Sequence, residues 1–588
     1  MTNPSSTLPH IINRELEQRV TTNRHILKHI IKALLFCAKQ CIGLRGTIET
    51  FHMTPTVNPG NFIAFLRDRA EDDEILREHL LFPQKKNAKY VSPPSQNELI
   101  SIIANFISEQ LIQDILSAKF YTIMADEVTS HNQEFMPLCI RFVDKENNIR
   151  EEFLEFLTIK RITGRKLADK VLDCLNQKQI PLNDMRGQCY DGAANMSSDR
   201  CGLQRCIREQ APLAPYTRCN SHALNLVIVH ACKQTDVAHT LTKMKEVCLF
   251  YKYSPKRQGL LESIIEQSVS STNKRKPLLD LCKTRWAERH YAYSHFYDSY
   301  VFWDKCRTQR KALDVYDAFS KVDLVKSSYN SLRTNIDGRF GVWFSQATRI
   351  AERVGVTPGM PRLAAQRRPG GGRSVYRPNA DLAIDCGCTI TLSSLPCIHH
   401  IEDYFRQNYA IPFIDHIITE LELQFSDLSK KSALLLGLVP TVIKERDCDI
   451  AEIIAVYSED LPSPALVEEE YQRYKDGILR NVLESNCVIP DSCATAIKNC
   501  DALLFPNIYT LLKLACTSPV TSAECERSAS SLRRLHHYNR ASMTGDRLSA
   551  LALIHIHYGF NHSYEKIINS FSKLHPRNME LENIIFQK

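Results

Sequence analysis

KFYTIMAD, residues 119–126, is a short run of β-branched and aromatic residues that ends at an aspartate. Such a run predicts a β-strand. The residues before it behave differently, because Leu99, Ile103 and Phe106 recur with the spacing of one helix face. The chain is therefore expected to change from helix to sheet at this point.

Four more strands are predicted downstream, in PLCIRFVD (137–144), IREEFLEFLTI (149–159), DMRGQCYD (184–191) and APYTRC (214–219). The first three strands are closely connected, which favours an antiparallel meander. The fourth and fifth are each reached through a predicted helix, which favours parallel addition to the same sheet. In such a sheet the first and fourth strands can be neighbours.

Two aspartates stand at the ends of those two strands. Asp126 ends the first strand and Asp191 ends the fourth. Carboxylates on adjacent strand ends repel each other unless a cation lies between them, and Mg²⁺ or Mn²⁺ suits such oxygen ligands. Gly192, Ala193 and Ala194 would leave space for a phosphate beside them. The alternative is that each aspartate only caps a helix or starts a turn.

Composition sets the protein class. The 588 residues are 44% hydrophobic and 24% charged, with a net charge of +8, so the chain can bury a core and can accept a polyanionic partner. The 21 cysteines show no framework of short repeated spacings, which predicts reduced thiols in the cytosol or nucleus. The most apolar early stretch, IIKALLFCA, is too short to span a membrane. No membrane association is expected.

Helical patterns dominate the rest of the chain. The first 50 residues, and FLRDRAEDDEILREHL (65–80), each predict a helix, and helical periodicity prevails from about 240 to 500. Residues 362–397 are different, because they include three consecutive glycines and little periodicity. This segment is predicted to be a disordered loop.

Several longer motifs resemble those of hAT-superfamily DNA transposases, and especially the hAT-like region of zinc-finger MYM-type proteins. They are FYTIMADEVTS, CYDGAANMSS, RCNSHALNLV, CKTRWAERHYAY and SPVTSAECERSASSLRRLHHYNRASMTGDRLSALALIHIHY. The resemblance implies an α/β fold with an RNase H-like core interrupted by a large all-helical insertion. The implied domains are a helical N-terminal region (1–117), the first part of the core (118–235), the helical insertion with its disordered loop near 362–397 (236–500), a C-terminal hAT dimerisation region that completes the core (501–560) and a tail (561–588).

The same resemblance implies an acidic triad. Its members fall on Asp126, Asp191 and Glu526, which would be both the catalytic residues and the ligands of a two-ion Mg²⁺ or Mn²⁺ site. Glu524 lies two positions before Glu526, roughly 200° around a helix, so its side chain is expected to face elsewhere.

DNA contacts are implied near the motif TRW. Arg285 and Trp286 match the family's Arg-Trp motif, at which a flipped base stacks on the tryptophan. The alternative for Trp286 is core packing. Lys256 and Arg257 lie in a basic stretch nearby that could follow phosphates, or could simply be a solvated surface.

A Cys-x-x-His element of the family falls on Cys219 and His222. These residues could share a zinc ion with His555 or His557, or could be buried without a metal. No Cys/His cluster occurs in the first hundred residues.

The predicted function is that of a nuclear, transposase-like DNA-binding protein that forms a homodimer or higher homo-oligomer and cleaves and transfers DNA with metal ions. The alternative is a domesticated hAT-derived scaffold without activity. The apolar segment RLSALALIHIHY, from Arg547 to Tyr558, is expected to serve both self-association and closure of the core. Its other possible role is packing within its own chain alone.

Overall fold

The computed structural model describes most of the chain in separate stretches. They are residues 8–46, 58–82, 89–233, 315–353, 398–425, 434–445, 448–483, 489–537, 540 and 542–582, with short pieces between 237 and 259. The chain divides into two compact units. The first comprises Met1–His222, Thr308–Ala318 and Leu428–Lys588, and the second comprises Ala223–Arg307 and Phe319–Asp427.

A mixed six-stranded sheet forms the centre of the first unit. Its strands are β1 (Tyr121–Ala125), β2 (Val128–Ser130), β3 (Gln133–Val143), β4 (Ile149–Ile159), β5 (Met185–Tyr190) and β6 (Tyr216–Arg218). β3 pairs antiparallel with β1, β2 and β4, whereas β5 pairs parallel with both β1 and β6. The predicted meander, the parallel additions and the pairing of the first and fourth strands are confirmed. The short β2 was not predicted.

Helices surround this sheet. In the first unit they are Leu8–Lys39, Asn61–Asp72, Glu74–Leu81, Pro93–Ala118, Gly164–Gln177, Ala194–Ser197, Leu203–Gln210, Pro440–Glu445, Ile450–Tyr457, Val467–Leu483, Cys493–Asn499, Pro506–Thr517, Ala523–Leu535, Gly545–Ile556 and Tyr564–Leu574. Short 3-10 turns occur at Leu182–Asp184, Leu436–Leu438, Ser458–Asp460 and Pro464–Leu466. The mixture of strands and helices confirms the α/β class.

The predicted helix at 65–80 is two helices. Asp73 separates them, because its backbone is extended (φ −127°, ψ 102°) and its side chain caps the second helix by accepting the N–H of Leu76. An aspartate competes with the backbone for hydrogen bonds in this way, which favours a helix start over a helix interior.

The helix Pro93–Ala118 is long and apolar enough to cross a membrane, by length and composition alone. Half of its most apolar window is buried inside the protein. It packs against the helices Gly545–Ile556 and Tyr564–Leu574, and Leu99, Ile103 and Ile107 are almost fully buried. It is therefore a core helix of the first unit.

The helix Gly545–Ile556 closes the core, as predicted. Leu548, Leu551 and Ile554 are buried within the single chain, and the helix packs against β4 and against Pro93–Ala118. Packing within its own chain is thus observed for this apolar face, and its expected part in self-association stays a prediction.

This helix also covers the backbone of β4, which among the described strands pairs with β3 alone. Ser549 Oγ accepts the N–H of Phe156 at 3.1 Å and donates to its carbonyl oxygen at 3.2 Å. Both backbone groups of Phe156 are thus bonded to Ser549 and not to β3. Pro137, which lies opposite Phe156 on β3, therefore needs no N–H toward β4.

The described part of the second unit contains helices and no strand. The longer ones are Ile336–Arg353, Ile398–Phe405 and Ile411–Phe425, with a π-helical turn at Arg406–Ala410. Two further helices, Asn220–Ala231 and Val315–Thr334, include residues of both units. The predicted disordered segment, 362–397, lies outside the described residues.

Candidate functional site

The ends of β1 and β5 bring two aspartates together. Asp126 follows Ala125, the last residue of β1, and Asp191 follows Tyr190, the last residue of β5. The strands are parallel neighbours with Met124 opposite Cys189. Both carboxylates therefore emerge at the same edge of the sheet.

A third acid reaches this edge from the far end of the sequence. Glu526 lies in the first turn of the helix Ala523–Leu535, which packs on β3 and β4. Burial, together with the negative charges of Asp191 and Glu526, raises the pKa of Asp126 to about 7. The three acids are therefore in electrostatic contact, although the second unit separates Asp191 from Glu526 in sequence.

Backbone hydrogen bonds fix two of these carboxylates. Asp126 Oδ1 accepts the N–H of Glu127 at 3.0 Å, and Asp191 Oδ1 accepts the N–H of Ala193 at 3.2 Å. The Tyr216 hydroxyl donates to the carbonyl oxygen of Asp191 at 2.8 Å. The strand ends are held in place before any ligand arrives.

Glu524 faces away from the acids, as predicted. It is buried and forms an ion pair with Arg527 at 2.6 Å, while Arg527 lies 3.4 Å from Glu151. Glu151 also pairs at 2.7 Å with Arg141, a fully buried side chain. This network ties the helix that carries Glu526 to β3 and β4.

Sequence reasoning missed two polar neighbours of the acids. Burial and the charge of Asp191 raise the pKa of Glu127, and a hydrogen bond from the Asn195 amide partly offsets the rise. Glu127 directly follows Asp126, so its position was a usable signal. Asn195 follows the small residues beside Asp191 and carries no such signal.

The space beside Gly192 is used differently from the prediction. A Cβ atom at Gly192 would lie 2.3 Å from Nη2 of Arg218, so the missing side chain accommodates a guanidinium group. Arg218 ends β6, next to β5. The room expected for a phosphate thus holds a group that binds phosphates well.

Cys219 has a structural role at the start of two helices. Its sulfur accepts the N–H of Ser522 at 3.3 Å, and the N–H of His222 also donates to it. Burial raises the pKa of the thiol. These bonds fix the beginnings of Asn220–Ala231 and Ala523–Leu535.

The two histidines suggested as further zinc ligands have other partners. His555 Nδ1 lies 2.7 Å from the carbonyl oxygen of Lys39, and His557 Nε2 lies 3.0 Å from that of Phe153. Among the described residues, the group of three metal-ligating side chains within mutual reach is a different one, His25, His29 and Asp73.

Of the predicted DNA contacts, Lys256 alone is described. It is helical and exposed, and it belongs to the second unit. Arg257, Arg285 and Trp286 lie outside the described residues, so these three assignments stay predictions.

Two domain families match the chain. Residues 1–202 match the ZMYM1/FAM200, RNase-like domain, and residues 498–559 match the hAT family C-terminal dimerisation region. The C-terminal part of the chain therefore carries a hAT family dimerisation region. The second match contains Glu526 and the helix Gly545–Ile556, so the hAT dimerisation region also completes the core.

Two mammalian proteins are similar to this chain along most of its length. The human 52 kDa repressor of the inhibitor of the protein kinase is 25% identical over 615 residues, which cover 95% of this chain and 77% of the relative. Its mouse counterpart is 26% identical over 619 residues, which cover 96% and 78%.

Proposed function

We propose that this chain is a nuclear, DNA-binding protein whose RNase H-like core carries out metal-dependent phosphodiester cleavage and strand transfer. The observation that carries the proposal is the meeting of Asp126, Asp191 and Glu526 at one sheet edge, where burial and like charge raise the pKa of Asp126 to about 7. A protein gains no stability from such a cluster of acids. A bound cation would make the cluster favourable.

The strand order supports the RNase H-like assignment. Four strands with antiparallel pairings, β1 to β4, are followed by two strands added in parallel, β5 and β6, and β1 lies between β3 and β5. The acids follow β1 and β5, and the matched domain family is described as RNase-like. The mixed sheet by itself would suit many functions, so the acids carry more weight than the topology.

The donor set fits Mg²⁺ or Mn²⁺, because it consists of carboxylate oxygens. Asp126, Asp191 and Glu526 would hold the ions. When bound, such ions polarise the phosphate and provide an activated water or hydroxyl for attack on phosphorus. The chain's own part is to hold the carboxylates rigidly through the N–H groups of Glu127 and Ala193.

Arg218 would bind the DNA phosphate next to these ions. Its guanidinium group lies against Gly192, and a guanidinium matches the geometry of phosphate oxygens. Further along the DNA, we assign Lys256 and Arg257 to phosphate contacts, and Arg285 and Trp286 to an extruded base.

A nicking assay with matched variants tests the proposal. The full chain should nick supercoiled DNA with Mg²⁺ or Mn²⁺, and Asp126→Asn, Asp191→Asn and Glu526→Gln should each remove the activity. Glu155→Gln is the control, because Glu155 lies on β4 and pairs with Lys178 at 3.1 Å. Nicking that survives in all three acid variants, or that is lost in Glu155→Gln as well, would contradict the proposal.

The alternative function is a domesticated scaffold that binds DNA and dimerises without cleavage. The name of the two relatives, a repressor, favours it, as does the match to a dimerisation region. DNA binding that needs no metal, with no nicking by the folded full chain, would decide for the scaffold. Both functions include a homodimer or higher homo-oligomer and a nuclear location.

A further inference from the structure

A second group of metal-ligating side chains lies in the N-terminal helices. His25 and His29 are one helical turn apart on Leu8–Lys39, and Asp73 stands between Asn61–Asp72 and Glu74–Leu81. His25 Nε2 lies 2.6 Å and His29 Nε2 3.3 Å from Asp73 Oδ2. The three donor atoms lie within 4.8 Å of one another.

The two separations from Asp73 Oδ2 are close to those of a tetrahedral zinc site, and the two histidine nitrogens lie within 4.8 Å of each other. With metal–ligand bonds of about 2.0–2.1 Å, ligand atoms lie roughly 3.4 Å apart. The distance between His29 and Asp73 already meets this value. The distance between His25 and Asp73 is that of a hydrogen bond, and it would lengthen by less than about 1 Å when a metal replaces the shared proton.

The protonation states also suit a metal. Burial lowers the pKa of His29, which favours its neutral form. Burial alone would raise the pKa of Asp73, but the N–H of Leu76 and the His25 ring hold it below its usual range. Neutral imidazole and ionised carboxylate are the forms that bind metals.

Asp73 is oriented by its role as a helix cap. Its Oδ1 accepts the N–H of Leu76 at 2.9 Å, which turns Oδ2 toward the two histidines. Such an outer hydrogen bond is typical of metal-binding carboxylates. The His25 side chain is 41% exposed, compared with 18% for His29 and 16% for Asp73, so the group opens to solvent on the His25 side.

Two nearby cations limit the affinity. Lys32 and Arg69 act on His29 through their positive charge. Lys32 Nζ lies 6.0 Å from the Tyr564 ring centroid and the Arg69 guanidinium lies 5.2 Å from that of Phe65, and these aromatic faces partly offset their charge. The affinity should therefore be lower than that of a four-ligand structural zinc site.

We propose that His25, His29 and Asp73 form a Zn²⁺ site with an open fourth position. The ion joins the first helix of the chain to the junction of the next two. This site is separate from the acidic site, because its residues lie on the N-terminal helices. Its chemistry also differs, because the donor set includes two imidazole nitrogens, which suit Zn²⁺ better than Mg²⁺.

Co²⁺ titration of the full chain tests this site, in an Asp126→Asn background that weakens metal binding at the acidic site. We expect one equivalent of Co²⁺ to give d–d absorption bands without thiolate charge transfer, and Zn²⁺ to displace it. His29→Gln and Asp73→Asn should each weaken binding by about tenfold or more. Asparagine can still cap the helix, so Asp73→Asn should remove the negative charge while the protein stays folded. His79→Gln is the control, because His79 lies on Glu74–Leu81 and bonds the Lys89 carbonyl at 3.3 Å.

A thermal melt provides the second readout. Zn²⁺ should raise the melting temperature of the parent and of His79→Gln, and should leave that of Asp73→Asn unchanged. No Co²⁺ or Zn²⁺ binding by the parent would show that the three residues form only a hydrogen-bonded brace. Binding that is equal in parent and Asp73→Asn would place the metal elsewhere in the chain, and thiolate bands would place it on cysteines. Either result would overturn the proposal, and neither bears on the nicking assay, which depends on the acids.

Discussion

Two glycines of the first unit are needed for space, and they differ in what fills that space. At Gly192 an added Cβ would meet the end of a flexible side chain, the guanidinium of Arg218. At Gly164 it would lie 2.2 Å from the carbonyl oxygen of Cys201 and 2.6 Å from the backbone of Gly202. A side chain can move aside at little expense, whereas a packed backbone cannot.

Gly164→Ala should therefore destabilise the protein by about 1–3 kcal/mol, as overpacking typically does, and Gly192→Ala should destabilise it less. Urea unfolding of the two variants measures the difference. Equal losses of unfolding free energy, or a larger loss for Gly192→Ala, would contradict this comparison. They would mean that the backbone beside Gly164 can move aside, or that the Arg218 side chain beside Gly192 cannot.

The thiol of Cys219 allows a second comparison. Cys219→Ala would leave the N–H groups of Ser522 and His222 without their acceptor. Such a loss should lower the free energy of unfolding by about 1–3 kcal/mol. Cys219→Ser keeps an acceptor oxygen and should lose less. Unfolding in the presence of a zinc chelator separates this role from metal binding. If the sulfur held zinc, the chelator would abolish the difference between wild type and both variants.

At the scale of elements, the helix Gly545–Ile556 protects the backbone of β4 as well as covering its apolar side chains. An uncovered edge strand offers unpaired N–H and C=O groups to other chains. Ser549 binds both groups of Phe156, and His557 contacts the carbonyl oxygen of Phe153. Polar residues on an otherwise apolar helix thus have a defined purpose.

Ser549→Ala should lower the free energy of unfolding by about 1–3 kcal/mol, because it leaves a buried N–H and C=O of Phe156 without partners. Ser101→Ala is the matched control. Ser101 is exposed and bonds only a carbonyl of its own helix, so its loss should stay within about 0.5 kcal/mol. Denaturant unfolding that found the two variants alike would contradict the role given to Ser549.

Strand periodicity and connection lengths were enough to predict five of the six strands and the pairing of β1 with β5. The hairpin between β2 and β3 was not predicted from the sequence. Its turn residues, His131 and Asn132, both adopt positive φ (48° and 61°), but the turn lacks the glycine that usually marks such a conformation. Asp73 split a predicted helix for a comparable reason, since capping overrode helical periodicity.

Only part of the candidate site could be predicted from strand order. Strand order alone favoured placing Asp126 beside Asp191, but Glu526 could be added only through a family motif, because no local pattern spans the second unit. The position of Arg218 against Gly192 depends on side-chain packing between two strands. Sequence periodicity contains no information of that kind.

At the scale of the whole molecule, the question is which surface serves dimerisation. The apolar face of Gly545–Ile556 is buried in its own chain. Within the matched dimerisation region, Leu503 is 92% and Leu504 65% exposed. The Asp501 carboxylate accepts both of their backbone N–H groups, so the turn presents two leucines to solvent in a fixed conformation.

We expect the unmodified chain to be a homodimer, and Leu503→Asp combined with Leu504→Asp to make it a monomer without lowering its melting temperature. Leu574→Asp is the control, because Leu574 is 52% exposed and lies outside the matched region. Light scattering measures the mass and calorimetry the melting. Truncation after Arg547 should instead abolish cooperative unfolding, since it removes buried core. A double variant that stays dimeric would assign the interface to other residues.

The order in which a ribosome makes this chain has a consequence for the helix Pro93–Ala118. Its partners, Gly545–Ile556 and Tyr564–Leu574, are synthesised long after it, because the second unit lies between them in sequence. At about 5–20 residues per second, this helix, which is long and apolar enough to cross a membrane, waits roughly tens of seconds for its cover. Nascent chains in that interval are natural clients of chaperones. A premature stop codon before Gly545 makes the interval permanent, so even a late nonsense mutation should yield an aggregating product and not a shortened, working one.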